Sequence, residues 1–434
     1  MSVLSKRWRY IWTSVPVIDL RELEFPTIVE QENTVEEAGR VRELYLLQYQ
    51  RFMDFVDRKL SLHHETRDIK KFYLDSPDRS YYESSRVEEW ISSLITRHNL
   101  EEFAFYADGS PVTGLFPSSG GLASLIILEL DTFNPVYLPN AINLPKLKIF
   151  RLWNTDLYLH SEDLTQQFFS NLPVLEELEL VDCQWNSIMP ELFISAPALK
   201  YLLISGPNAG QYFDDTDDSS PSYEFKINIF APNLQSLRYT DVPAEDYILH
   251  RFESLVDAEI DLHRFDMPFD MQEKDPIAAK VLEKLSNVKL LKISGKTFEA
   301  VAFPDDLFTN WPVFHNLVHL EVTSKISFVK DKSFLNFLRI TPNLETIVIA
   351  KMKKDAEEQT ERNGDARISS VILMILAITV ISTHLGIKDA ADEVQGERQR
   401  VENKDNTDDQ LRNCSFEEGD CCWKKKPRNH WRKF

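Results

Sequence analysis

Three clusters in this 434-residue chain hold side chains able to bind metals or move protons, and in each the spacing is wrong for that chemistry. His63-His64-Glu65 lacks the second histidine one helical turn away with which a zinc-protease helix grips its metal, so it reads as solvated polar surface. Cys414, Cys421, Cys422 and His430 can be drawn as four zinc ligands. The paired-cysteine knuckle spacing is missing, however, and two adjacent cysteines reach one ion awkwardly, so no metal is expected there. Asp214-Asp215-Thr216-Asp217-Asp218 carries the charge of a cation loop, but the glycine and distal glutamate of a calcium loop are out of register, which leaves a solvated connection. The 12 glycines form none of the spacings that cradle phosphate. No catalytic residue and no cofactor are expected, and the chain reads as a non-enzyme.

What remains is recognition by side chains held on a regular frame, and the frame is visible as a repeat. The unit is an apolar residue, two variable residues, an apolar residue, one variable residue and a third apolar residue. It appears as Ile69/Phe72/Leu74, Leu100/Phe103/Phe105, Leu125/Leu128/Leu130, Leu147/Phe150/Leu152, Leu175/Leu178/Leu180, Leu199/Leu202/Ile204 and Leu234/Leu237/Tyr239. It continues as Leu255/Ala258/Ile260, Val288/Leu291/Ile293, Leu317/Leu320/Val322 and Leu344/Ile347/Ile349. Successive starts lie 21 to 35 residues apart, the period of irregular leucine-rich repeats. Pro145, Pro173, Pro197, Pro232 and Pro342 each stand two residues before the first apolar position, which suits a turn where a connecting helix ends and a strand begins.

A turn, a short strand and a return helix then make one unit, which cannot bury its apolar face alone but can do so when stacked. The expected fold is α/β: an irregular leucine-rich-repeat solenoid, a horseshoe with a parallel sheet on its concave face. Alternation along the strands turns Arg151, Trp153, Glu177, Glu179, Tyr201, Arg238, Lys292, His319 and Glu321 outward as candidates for binding a target. Their mixture of both charges with large aromatics suits protein recognition better than small-molecule catalysis.

Composition agrees with a binding module. Hydrophobic residues make up 43% of the chain, enough to bury a core, and 49 basic against 69 acidic residues give a net charge of -20. That charge repels polyanions and argues against nucleic acid as a partner. Cys183 alone lies in the body of the chain, which is no disulfide framework and fits a reducing compartment. No apolar stretch of signal length opens the chain, so the expected location is the cytoplasm, the nucleus or both.

The first sixteen residues, Met1 to Pro16, place Val3, Leu4, Trp8, Ile11 and Trp12 at helical spacing with Lys6, Arg7 and Arg9 between them. The string SVLSKRWRYIWTSVP resembles the end of the F-box in the large plant family of F-box proteins with leucine-rich repeats and an FBD segment. Downstream, FMDFVDRKLSLHHETRDIKKFYL (52–74) looks like that family's approach to its repeats, and VEEWISSLITRHNLEEFAF (87–105) like its second unit. PVFHNLVHLEV (312–322) and FLNFLRITPNLETIVIAK (334–351) resemble the start of the FBD segment.

The resemblance implies a non-catalytic substrate-recognition subunit of an SCF-type ubiquitin ligase, which contacts a Skp-type adaptor and cullin through the F-box and an unknown target protein through the repeats. Leu4, Trp8 and Trp12 would be the adaptor-binding residues. The family's preceding Leu-Pro-rich stretch has no counterpart before Met1, so a short helical F-box remnant and a weakened adaptor contact are expected. An interaction protein without ligase recruitment is the alternative.

The implied organisation is a partial F-box over 1–20, a helical linker or cap over 21–62, leucine-rich repeats over 63–312, the last repeats with the start of an FBD-like segment over 313–351, and an atypical, largely disordered tail over 352–434. The cap rests on Val41, Leu44, Tyr45, Phe52, Phe55, Val56 and Leu60, which fall mainly on one side of a helix. Within the tail, Ile368 to Ile387 has no Asp, Glu, Lys or Arg. Its twenty residues reach the minimum for a membrane span, although its dense apolar core, Val371 to Ile381, is only eleven. A membrane-tethered repeat protein, a buried helix and a segment foreign to the family are the three readings. Lys424-Lys425-Lys426-Pro427-Arg428 is a basic cluster of the kind that serves nuclear import.

Overall fold

The computed structural model describes residues 15–21, 35–64, 69–75, 84–97, 99–106, 115–116, 122–132, 135–137, 143–158, 168–183, 191–206, 226–241, 246–250, 252–262, 276–301, 311–323, 333–349, 421–425 and 431–433. The chain divides into two compact units, Met1–Asn233 and Leu234–Phe434. Leu4, Trp8, Trp12 and the apolar stretch 368–387 lie outside the described residues.

The strands of the first unit are β1 (Val17–Leu20), β2 (Lys71–Asp75), β3 (Glu102–Tyr106), β4 (Ile127–Asp131), β5 (Pro135–Tyr137), β6 (Ile149–Trp153), β7 (Asp156–Tyr158), β8 (Glu177–Val181), β9 (Glu191–Ser195), β10 (Tyr201–Ser205) and β11 (Lys226–Phe230). Those of the second are β12 (Ser236–Asp241), β13 (Asp246–Leu249), β14 (Asp257–Leu262), β15 (Leu290–Ile293), β16 (His319–Val322), β17 (Thr346–Ile349), β18 (Cys421–Lys425) and β19 (Trp431–Lys433).

In the first unit β1, β2, β3, β4, β6, β8 and β10 lie side by side, every pair parallel. In the second, β12, β14, β15, β16 and β17 do the same. Each repeat supplies one strand, and from β2 through β16 each such strand buries the second and third apolar residues of its motif. Phe72, Phe103, Leu128, Phe150, Leu178 and Leu202 are register partners along one row, and Leu74, Phe105, Leu130, Leu152, Leu180 and Ile204 along the next. All twelve are buried. A parallel sheet fed by one residue pattern per turn of chain is an α/β solenoid-like fold.

The register is locked from the motif itself. The residue after the first apolar position turns its carbonyl toward the next repeat, where it accepts from two successive N–H groups. Lys148 O, for example, accepts from Glu176 N at 2.8 Å and Glu177 N at 2.9 Å, and Glu176 O from Lys200 N at 2.8 Å and Tyr201 N at 3.1 Å. Val256 O and Lys289 O serve the second unit in the same way. The prolines stand at the second position of the preceding β-turn, closed by bonds such as Leu147 N to Leu144 O (3.2 Å) and Leu175 N to Leu172 O (3.2 Å), where their fixed φ is an advantage.

The expected return helix is corrected in the middle repeats. Pro197 and Pro232 follow strands, β9 and β11, which pair parallel with Leu192 opposite Ile227 and Ile194 opposite Ile229. Glu191–Ser195 and Lys226–Phe230 alternate buried and more exposed residues with period two, the pattern of a strand that packs one side and not of a helix. β5 and β7 form a second parallel return pair. Helices serve other returns: Ser84–Arg97, which buries Val87, Trp90, Ile91, Leu94 and Ile95 at helical spacing, Pro276–Lys284, Gly295–Ala300 and Ser333–Arg339.

At the far end of the second unit the direction of pairing changes. β18 pairs antiparallel with β17, and β19 antiparallel with β18. The described part of the segment after Lys351 therefore consists of strand.

Candidate functional site

The position between the second and third apolar residues of each motif necessarily points away from the core, because side chains alternate along a strand. In the first unit this position brings Glu129, Arg151 and Glu179 into one row across β4, β6 and β8. The Arg151 guanidinium donates to Glu129 and to Glu177, the latter from Nε at 2.8 Å, and its Nε lies 3.6 Å from Glu179 Oε1. One cation thus serves three carboxylates, all of them half-buried or more.

Burial works against the charge of Arg151, yet the hydrogen bonds and attraction of Glu177 and Glu129 outweigh it and hold the guanidinium more firmly protonated than usual. Glu179 moves the other way: burial raises its pKa, and repulsion from Glu177 and Glu129 adds to the rise. Asp182 is likewise raised by burial and by Asp131.

Aromatic rings border this row. Trp153 and Tyr106 stack with centroids 6.0 Å apart, and the Tyr106 hydroxyl donates to Glu129. One strand further, the Tyr73 hydroxyl donates to Glu102, whose carboxylate also pairs with Lys71 at 2.6 Å. Burial, and after it the neighbouring carboxylate, pushes both phenols above their ordinary pKa, so they stay neutral donors.

The second unit carries its own row. Arg238, Glu259, Lys292 and Glu321 are successive register partners on β12, β14, β15 and β16, with alternating sign. Lys292 Nζ is 2.8 Å from Glu259 and 3.9 Å from Glu321, and Arg238 Nε is 3.8 Å from Glu259. The hydrogen bond to Glu259 raises the pKa of Lys292.

Of the residues expected from sequence, Arg151, Glu177 and Glu179 meet in one ion-pair cluster, Trp153 joins its aromatic border, and Arg238, Lys292 and Glu321 fall in the second row. Tyr201 stands beside Glu177 on β10, and His319 stands between Leu290 and Thr346, in the row of first strand residues instead of the charged one. Glu129, Glu259 and Tyr106 were missed. The first two occupy the same motif position as Arg151, so listing that one position through all repeats finds them; Tyr106 is reached only through its neighbours.

Among the described residues no group of three or more His, Cys, Asp or Glu side chains is arranged to hold a metal ion, and no helix is long and apolar enough to cross a membrane. Cys183 is buried, its thiol 3.4 Å from the Leu152 carbonyl.

Comparison with known proteins completes the picture. Protein-family models give no match to the chain. An F-box/LRR-repeat protein of Arabidopsis thaliana is 30% identical over 370 residues, a match that takes in 84% of this chain and 70% of the relative. The chain belongs to the plant F-box/LRR-repeat family. A second F-box/LRR-repeat protein of that plant is 29% identical over 382 residues, covering 84% of this chain and 88% of its own length. An F-box/FBD/LRR-repeat protein is 26% identical over 363 residues, covering 80% and 73%.

Proposed function

We propose that this F-box/LRR-repeat protein is a non-catalytic substrate-recognition subunit of an SCF-type ubiquitin ligase, acting in the cytoplasm or nucleus. Its repeats form a horseshoe whose concave sheet holds the target protein. Its F-box portion, with Leu4, Trp8 and Trp12, contacts a Skp-type adaptor and through it the cullin. The ligase partners transfer ubiquitin, so the chain itself supplies binding surfaces only.

The observation that carries this reading is the row around Arg151. It offers a stacked Trp–Tyr pair and a guanidinium, the residue types of interface anchors, on the outward side of the sheet. The test is co-expression of the full chain, or of Arg151→Glu/Trp153→Ala, with adaptor and cullin in plant cells. The proposal expects both forms to co-purify the adaptor. It also expects a set of proteins whose ubiquitination rises with the unaltered chain and not with the variant. Failure of the unaltered chain to co-purify the adaptor, or identical ubiquitination by both forms, overturns it.

A further inference from the structure

The helix Val35–His64 is apolar on two opposed sides. One side carries Tyr49, Phe52, Met53 and Val56, all buried. The other carries Leu44, Leu47 and Phe55 at spacings of three and eight residues, which place them on a single stripe, and these side chains are 61%, 48% and 40% exposed. An ordinary surface helix has one apolar stripe; here Leu44, Leu47 and Phe55 leave a second one largely exposed, and Leu46, off that stripe, is 42% exposed as well.

The charge along this stripe is as distinctive as its apolarity. Arg51 falls between Leu47 and Phe55, and Arg58 follows Phe55 by three residues, so both lie on the stripe. Both are exposed and neither has an ion-pair partner among the described residues. Lys59 stands over the Phe55 ring with Nζ 5.4 Å from the centroid. Of the neighbouring carboxylates, Asp54 pairs with Arg86 at 3.0 Å, and Asp57 pairs with Arg86 and accepts from Trp90 Nε1 at 2.5 Å. In a chain of net charge -20, this face is locally cationic.

We propose that the Leu44–Arg58 stripe is a docking surface for an acidic amphipathic helix of a partner protein, separate from the sheet face that holds the target. Apolar side chains of the partner helix pack on Leu44, Leu47 and Phe55, while its carboxylates flank them and meet Arg51, Arg58 and Lys59. The stripe runs about 21 Å along the axis, the length of a four-turn helix. A basic or neutral helix has the same apolar complementarity but meets two cations without partners, which selects against it.

The test uses the full chain and two labelled helix-forming peptides of about four turns. Both have leucines along one face, flanked in one peptide by glutamates and in the other by lysines. By fluorescence anisotropy the glutamate peptide binds, and binds more weakly as ionic strength rises. Arg51→Glu/Arg58→Glu lowers that affinity about tenfold or more, and gains affinity for the lysine peptide. The gain separates lost complementarity from lost folding. Arg151→Glu, on the sheet face, leaves both affinities unchanged and distinguishes this surface from the target site. Equal binding of the two peptides, or no binding of either, overturns the proposal. So does dimerisation of the chain abolished by Leu47→Glu, which assigns the stripe to a second copy. Binding that emerges only after deletion of residues 1–14 also overturns it, since the stripe's occupant is then the chain's own N-terminal segment.

Discussion

Arg151 and Glu177 are not opposite one another in the sheet, yet they form a cross-strand ion pair. The residue opposite Glu177 is Ile149, and the residue opposite Arg151 is Glu179. The guanidinium nevertheless reaches diagonally, donating from Nε to Glu177 at 2.8 Å while Glu179 stays at 3.6 Å. A diagonal across a parallel pair is within reach of a long side chain, and the planar fork of arginine lets one residue serve both neighbours.

Arg151→Met removes the only cation within reach of Glu129, Glu177 and Glu179 among the described residues, leaving three half-buried carboxylates to repel one another. The expected cost is about 1–3 kcal/mol, below that of a fully buried pair because the group keeps contact with water. Glu179→Gln relieves repulsion and costs less than Glu177→Gln. Urea unfolding midpoints of the three variants check the order.

Acid should weaken a second ion-pair set in a defined window. Glu176 is bridged by Lys148 at 2.9 Å and Lys200 at 2.6 Å, and these hydrogen bonds lower its pKa from 4.5 to about 2. Its depressed value means that the contribution is complete above pH 4.5 and disappears as pH falls through about 2. Melting temperatures of the unaltered chain and Glu176→Gln should therefore converge on acidification over that interval. A difference that stays constant through it contradicts the assignment.

Thr297 is a small buried polar hub in the second unit. Its hydroxyl accepts from Leu262 N at 2.7 Å and lies 3.1 Å from Leu262 O and 2.8 Å from Ser294 Oγ. Thr297→Val keeps the shape and strands the Leu262 N–H, so a loss of about 1–3 kcal/mol is expected, with faster amide exchange at Leu262 as its local signature.

Phe150 sits in the first buried row between Leu128 and Leu178, with Phe168 6.0 Å away. Phe150→Ala should cost about 3–5 kcal/mol through the cavity left behind. Because each repeat contacts mainly its neighbours, hydrogen exchange should rise most in the strands on either side of it, β4 and β8, and least in β1 and the second unit.

The repeat frame was legible in the sequence because burial imposes it. A parallel strand that packs one side must place apolar residues at alternate positions, and a stack must repeat that spacing. Leu147/Phe150/Leu152 and its relatives therefore mark core residues without any structure. The outward direction of Arg151, Glu179, Lys292 and Glu321 follows from the same alternation. The N-terminal motif and the repeat strings also placed the chain in its family.

The tertiary structure alone decided which outward residues meet. Glu129 and Arg151 are 22 residues apart, and Tyr106 and Trp153 lie on strands separated by a third. Their contacts depend on register and side-chain reach, which no local spacing encodes. The strand form of β9 and β11 was decided in the same way, since period-two segments that short become strands only when a parallel neighbour completes their hydrogen bonds. In Val35–His64, likewise, the sequence pattern puts Phe55 and Val56 together mainly on one face. Only packing showed that Val56 is buried and Phe55 is left on the open side, because a helix side is assigned to the core by what it touches.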